Sequence, residues 1–158
     1  MGGEQEQVDD VEGRVRMVLE TVGDAFGVSA VVEVERADGG VDARFVGETA
    51  SVLVGPGGST LDAIQHLAYR IAYRGRSARG HVSVDADGYR SRRAQALEGV
   101  ADQAADAAVR DGSPVPLEPM SAVERKVVHE YLKGRLDVET YSEGEEPSRR
   151  LVVAPIVD

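Results

Sequence analysis

The sequence predicts an α+β fold arranged as two small modules. Three observations lead there. Stretches of helical periodicity alternate with short valine-rich runs, a glycine-rich turn opens directly into an amphipathic helix, and a long alanine-rich stretch begins the second half near Tyr89. At 158 residues the chain accommodates one domain or two small ones. Cores of about 75 residues are marginal on their own, so two such halves are expected to lean on each other.

Residues 1–9 are polar and glycine-containing, and are expected to be disordered. From Val11 to about Phe26, the apolar residues Val11, Val15, Val18, Leu19 and Val22 fall along one helical face. Val31–Glu35 and Val41–Phe45 flank Asp38-Gly39-Gly40, a hairpin signal. A short helical turn leads to the glycine loop. Leu61, Ile64, Leu67, Ala68 and Ile71 then mark a helix from about Thr60 to Tyr73 that Gly75 ends, and His81–Asp85 alternates as a strand. The long helix from Tyr89 to about Val109 carries Ala94, Leu97, Ala101, Ala104 and Ala108, a thin stripe that permits close packing, and Gly112 and Pro114 stop it. Val115–Leu117 is a short edge segment, because Pro116 cannot donate to a ladder. The next helix opens at Ser121, with Glu124 three residues on as in a capping box. Two closing strands, Val138–Ser142 and Arg149–Ala154, are joined by an acidic turn. The modules are expected over residues 10–87 and 88–158.

Composition narrows the class. Aromatic residues are 4% of the chain and there is no tryptophan, so the cores must be built from Val, Leu, Ile and Ala. The absence of cysteine excludes disulfides and thiolate metal sites. No apolar run approaches the roughly 18 residues of a membrane span, and no signal-peptide pattern opens the chain, so a cytoplasmic location is expected. The net charge of −10 opposes nucleic-acid binding at long range. Its distribution is uneven. Arg70, Arg74, Arg76, Arg79, Arg90, Arg92 and Arg93 face only Asp85 and Asp87 in their stretch, a local balance of +5. Such a strip can bind a polyanion locally, with an affinity easily lost as salt rises.

Two motifs carry chemistry. Arg125 and His129 are four residues apart on the predicted helix, just over one turn. A helical wheel sets Val123, Val127, Val128 and Tyr131 on an apolar side with Leu132 at its border, and Arg125, His129 and Lys133 on a polar stripe expected to be exposed. A guanidinium beside an imidazole suits a phosphate. On spacing alone, a solvated helix face is the commoner meaning of such a stripe. Arg149 and Arg150 are adjacent on a strand and must point to opposite faces, so one of them would extend this basic surface.

The second motif is Gly55-Pro56-Gly57-Gly58 ahead of the helix. Ser59 and Asp62 have capping-box spacing, Gly55 and Gly58 allow close backbone approach, and a helix N-terminus offers free N–H groups to an anion. No Lys-Ser/Thr pair follows, so this is not a Walker A loop. Taken alone it fits a structural turn as well as a phosphate site.

Gly55-x-x-Gly58 followed by Leu-Asp-Ala-Ile-Gln-His-Leu resembles the GxxG loop of a KH domain, and more specifically that of the Jag family of SpoIIIJ-associated, KhpB/EloR-like proteins. Gly88–Arg93, Leu117–Met120 and Val138–Gly144 support the same likeness, and Arg125-x-x-x-His129 has the spacing for which the R-three-H domain is named. The resemblance spans roughly residues 8–155. It implies a type II KH-like α/β module followed by an R-three-H module, with helices packed on a small β-sheet.

It also implies a non-catalytic regulator that binds single-stranded RNA, or single-stranded DNA, and acts in bacterial cell elongation, cell-wall synthesis or division. A small KH-only protein or a second copy of the chain is the implied protein partner, and no cofactor or metal is implied. Gly55, Pro56, Gly57 and Gly58 would form the KH contact, and Arg125 and His129 the phosphate contacts, with Lys133, Arg149 and Arg150 beside them. Many relatives have a basic residue between the two glycines. Here Pro56 and Gly57 supply none, and Pro56 removes an N–H, so a weak KH contribution is expected. The chain is also expected to be too short for the extra N-terminal domain of some relatives.

The competing class is a protein-interaction module, which the acidic net charge suits. Catalysis is not expected. His66, His81 and His129 are the only histidines, and none has metal-ligand spacing or sits in a nucleophile elbow. Asp85 and Asp87 are explained by a strand end and a turn.

Overall fold

The computed structural model describes residues 2–156, with side chains from Val11 onward. Residues 2–9, where disorder was expected, form the start of helix α1; Met1 and the side chains before Val11 lie outside the described residues. The chain divides into two compact units, one up to Arg90 and the other from Ser91.

The first unit runs α1 (Gly2–Ala25), β1 (Val31–Ala37), β2 (Gly40–Val46), two short 3-10 turns (Ala50–Leu53 and Pro56–Gly58), α2 (Ser59–Ala72) and β3 (His81–Ala86). β1 and β2 pair antiparallel across the two-residue turn Asp38-Gly39, where Gly39 sits at φ +74°. β3 joins β2 in parallel, so the chain must cross over between them, and α2 makes that crossover. Strict alternation along β2 and β3 sends Val41, Ala43, Phe45, Val82, Val84 and Ala86 into one core. Val15 and Leu19 of α1 and Leu61, Ile64 and Ala68 of α2 complete it. The opposite face of the sheet is charged, with Arg44 bonded to Glu33 and Glu35.

The second unit takes up α3 (Tyr89–Asp111) from Ser91, then β4 (Val115–Pro116), α4 (Ala122–Leu132), β5 (Val138–Glu143) and β6 (Arg150–Pro155). Both β4 and β5 pair antiparallel with β6, giving the order β4-β6-β5. α3 stops where Gly112 turns left-handed at φ +62° and the Ser113 N–H donates to the Ala108 carbonyl at 3.3 Å, a Schellman-type end. Leu97, Ala101, Ala104, Ala105 and Ala108 of α3 share a core with Val128 and Leu132 of α4 and Leu151 and Val153 of β6. The small alanines let the helix backbone come close. Arg135 closes the turn after α4 with ion pairs to Asp137 and to Asp106 of α3, and those two carboxylates push its pKa above the ordinary value. Among the described residues no helix is long and apolar enough to cross a membrane.

One side chain fastens the glycine loop's helix to the sheet. Arg90 donates from Nε to the Val84 carbonyl at 2.8 Å, from Nη1 to Asp62 at 2.8 Å and from Nη2 to Gln65 Oε1 at 3.1 Å. Gln65 Oε1 also accepts from the Val84 N–H, and Asp85 accepts from the Arg90 N–H at the start of α3. Arg90→Ala should therefore destabilise the first unit by about 1.5 kcal/mol, a figure held down by the part-exposed ion pair. A urea denaturation midpoint identical to the native chain's would contradict this role.

Candidate functional site

α4 is capped as its sequence indicates, since Ser121 Oγ accepts from the Glu124 N–H at 3.3 Å. The reciprocal half of the box is missing, because the Glu124 carboxylate binds Arg93 Nε at 2.6 Å instead. The helix is turned relative to the expected wheel. Its buried stripe is Arg125, Val128 and Leu132, while Val123 is 60% and Tyr131 41% exposed. Arg125, expected to be exposed, is only 8% exposed. The reason is polar: its aliphatic stem fits the stripe and its guanidinium finds acceptors inside. Nη1 donates to the Met120 carbonyl at 2.7 Å and, more weakly, to that of Arg149 at 3.5 Å, and Nη2 meets Glu146 Oε1 at 2.7 Å.

His129 lies one turn further, half-buried, with Nδ1 2.5 Å from Thr140 Oγ1. That bond orients the ring and leaves Nε2 as its remaining polar atom. His129, Arg125, Lys126, Thr140 and Arg149 line a concavity of about 340 Å³. Arg149 settles the strand question. It shares a face with Leu151 and borders the concavity, and its Nε is buried without a hydrogen-bond partner. Arg150 points to the other face and is bonded to Glu143 at 2.9 Å. Lys133 does not line the concavity. Its Nζ sits 2.7 Å from Glu130, a contact that holds the Glu130 carboxyl below the usual range. Lys126 lines the concavity and was missed; its i, i+3 relation to His129 was the available signal.

The glycine loop is tightly specified. Gly55, Gly57 and Gly58 have φ of +70°, +58° and +80°. A Cβ at Gly55 would overlap the Thr60 side chain, and one at Gly58 would come within 2.9 Å of the Tyr89 ring. The expected Ser59/Asp62 capping box does not form. Gly58 takes the N-cap position without a side-chain bond, and Asp62 is held by Arg90. Nor does the loop present a row of free donors. The N–H groups of Gly58, Ser59 and Leu61 go to the carbonyls of Gly55, Pro56 and Val54. Pro56 and Gly57 are its exposed tip.

The arginines of residues 70–93 differ in their surroundings. Arg90 is committed to the α2–β3 bracing and Arg93 to Glu124. Arg70, Arg74 and Arg79 are exposed at and beyond the last turn of α2, and Arg92 is exposed on α3. Arg76 and Arg79 border a concavity of about 470 Å³ beside Tyr73.

The family model of the R-three-H domain matches residues 95–155, which contain the whole Arg125–His129 concavity. A Bacillus subtilis protein, RNA-binding protein KhpB, is 32% identical over 151 residues, covering 94% of this chain and 72% of that protein. The chain belongs to the KhpB family. Proteins of the same name from Clostridium symbiosum and Lactiplantibacillus plantarum are 33% and 36% identical over 86% and 82% of this chain. The KhpB-family chain spans 62% and 40% of those two relatives, which are thus considerably longer.

In this KhpB-family chain the R-three-H arginine is a buried brace. Removing it takes the guanidinium donor from the Met120 carbonyl and from Glu146, while the Arg149 carbonyl keeps its bond from the Met120 N–H at 3.2 Å. Arg125→Ala should cost about 2 kcal/mol, below what breaking a fully buried pair costs because Glu146 is half open to solvent. Urea denaturation monitored by circular dichroism gives the number; a loss within error of zero would contradict the brace.

Proposed function

We propose that this chain is a non-catalytic regulator that binds single-stranded RNA. In this reading a KH-like domain spans residues 10–87 and an R-three-H domain residues 88–158. The phosphate-binding group is the concavity of His129, Lys126 and Arg149, with Arg125 at its base. One observation carries the reading: a half-buried arginine with a buried, unbonded Nε borders the same hollow as an oriented imidazole and a lysine. Buried donors of that kind need an acceptor, and a phosphodiester oxygen supplies one. The names of the relatives, RNA-binding protein KhpB, support the same ligand.

The glycine loop contributes little in this reading. The N–H groups of Gly58, Ser59 and Leu61 are bonded to backbone carbonyls of the same segment, and no side-chain cation stands between its glycines. The net charge of −10 makes the complex weak and salt-sensitive.

Fluorescence anisotropy of a labelled single-stranded RNA in a salt series tests the proposal. His129→Ala and Arg149→Ala should each weaken binding about fivefold at low salt, roughly the worth of one phosphate contact. The slope of log K against log salt should become shallower by about 0.7 per lost contact. Folded variants that bind as tightly as the native chain would remove the concavity from the site. No binding by the native chain would favour the protein-interaction reading.

A further inference from the structure

We propose that Glu146 is a built-in competitor for the phosphate, occupying Nη2 of Arg125, the end of the guanidinium that no backbone carbonyl holds. The inference rests on the RNA-binding reading of the same concavity. Three features of the geometry support it. First, the two ends of the Arg125 guanidinium are used differently. Nη1 is tied to the buried Met120 carbonyl at 2.7 Å, a backbone bond that fixes the arginine in place. Nη2 is satisfied only by Glu146 at 2.7 Å among the described residues. Second, the two partners of that ion pair differ in depth. The Arg125 side chain is 10% exposed and that of Glu146 59%, so the carboxylate can turn out into water while the guanidinium stays. Third, Glu146 belongs to the turn between β5 and β6, and the concavity is bordered by Thr140 and Ser142 of β5 and by Arg149 just ahead of β6. Leaving Arg125 therefore requires no rearrangement of the sheet.

A carboxylate and a phosphodiester present the same pair of anionic oxygens to a guanidinium. Binding at Arg125 is then an exchange of one anion for another, and only the difference between them appears as affinity. The exchange has a second signature. Glu146 acts as an attached counterion, so displacing it releases no ion to the bulk, and the Arg125 contact adds little to the salt dependence. With a neutral side chain at position 146, Arg125 would draw a counterion from solution and release it on binding.

The test is Glu146→Gln, with Glu145→Gln as its control, since that neighbour gives the same change in net charge without a bond to Arg125. Affinities for a labelled single-stranded RNA are measured across a salt series. The expected result is at least threefold tighter binding for Glu146→Gln and a salt slope steeper by about 0.7, with a distinctly smaller gain and an unchanged slope for Glu145→Gln. Equal gains in both variants would overturn the proposal in favour of overall charge. No gain in Glu146→Gln, while His129→Ala still loses affinity, would overturn it and leave the RNA-binding reading standing. If neither the native chain nor Glu146→Gln binds RNA, the RNA-binding reading has failed and the proposal falls with it.

Discussion

The second unit is organised around a buried guanidinium. Arg125 is the only buried charged residue among the described residues, and its acceptors come from three places: the loop before α4, the residue leading into β6, and the turn between β5 and β6. A cation cannot be taken out of water without such partners. The three segments are therefore held in the arrangement that satisfies it, and that arrangement also creates the concavity. His129 follows from the same placement. With Arg125, Val128 and Leu132 against the core, the residue one turn after the arginine stands at the rim, where Thr140 fixes its ring. The Arg-x-x-x-His spacing thus divides two tasks between two depths, holding below and presenting above.

The first unit achieves its order by different means. Its glycine loop owes its shape to contacts that exclude a side chain, Thr60 against Gly55 and the Tyr89 ring against Gly58. The helix it opens is tied to β3 through Arg90 and Gln65. The backbone bonds from the Gly58, Ser59 and Leu61 N–H groups hold the turn, and those three donors are spent on carbonyls of the same segment.

How much of this was legible in the sequence follows from the range of the interactions. The strands were readable because alternation is local: Val41, Ala43 and Phe45 declare one face of β2 without help from any other segment. The Ser121 cap and the Gly112 stop are local too. The face of α4 was not. Hydrophobic periodicity counts arginine as polar, so Val123 and Tyr131 were placed inward and Leu132 at a border, whereas Leu132 is 2% exposed. What decided the matter were acceptors outside the helix, the Met120 carbonyl just ahead of it and, more than twenty residues away, Glu146 and the Arg149 carbonyl. Long-range partners likewise took Asp62 from Ser59 and gave it to Arg90, and drew Glu124 to Arg93. The choice between Arg149 and Arg150 waited on the register of β5 with β6, which sets Arg150 opposite Glu143.

The acidic composition, which argues against a polyanion ligand when read as a sum, has a different meaning at the level of individual groups. Many of the arginines are paired with a carboxylate: Arg36 with Glu12, Arg44 with Glu33, Arg90 with Asp62, Arg93 with Glu124, Arg135 with Asp137 and Arg150 with Glu143. The exposed pairs among these add little stability. Their larger effect is on the field, since each removes a cation from the set that could attract phosphate indiscriminately. A site then stands out by the incompleteness of its pairing. At the concavity the Arg149 Nε has no hydrogen-bond partner, while Glu146 is engaged by Arg125 and Glu130 by Lys133. In the reading proposed above, an acidic surface opposes polyanions at long range, so local donors such as the Arg149 Nε decide where a phosphate is held.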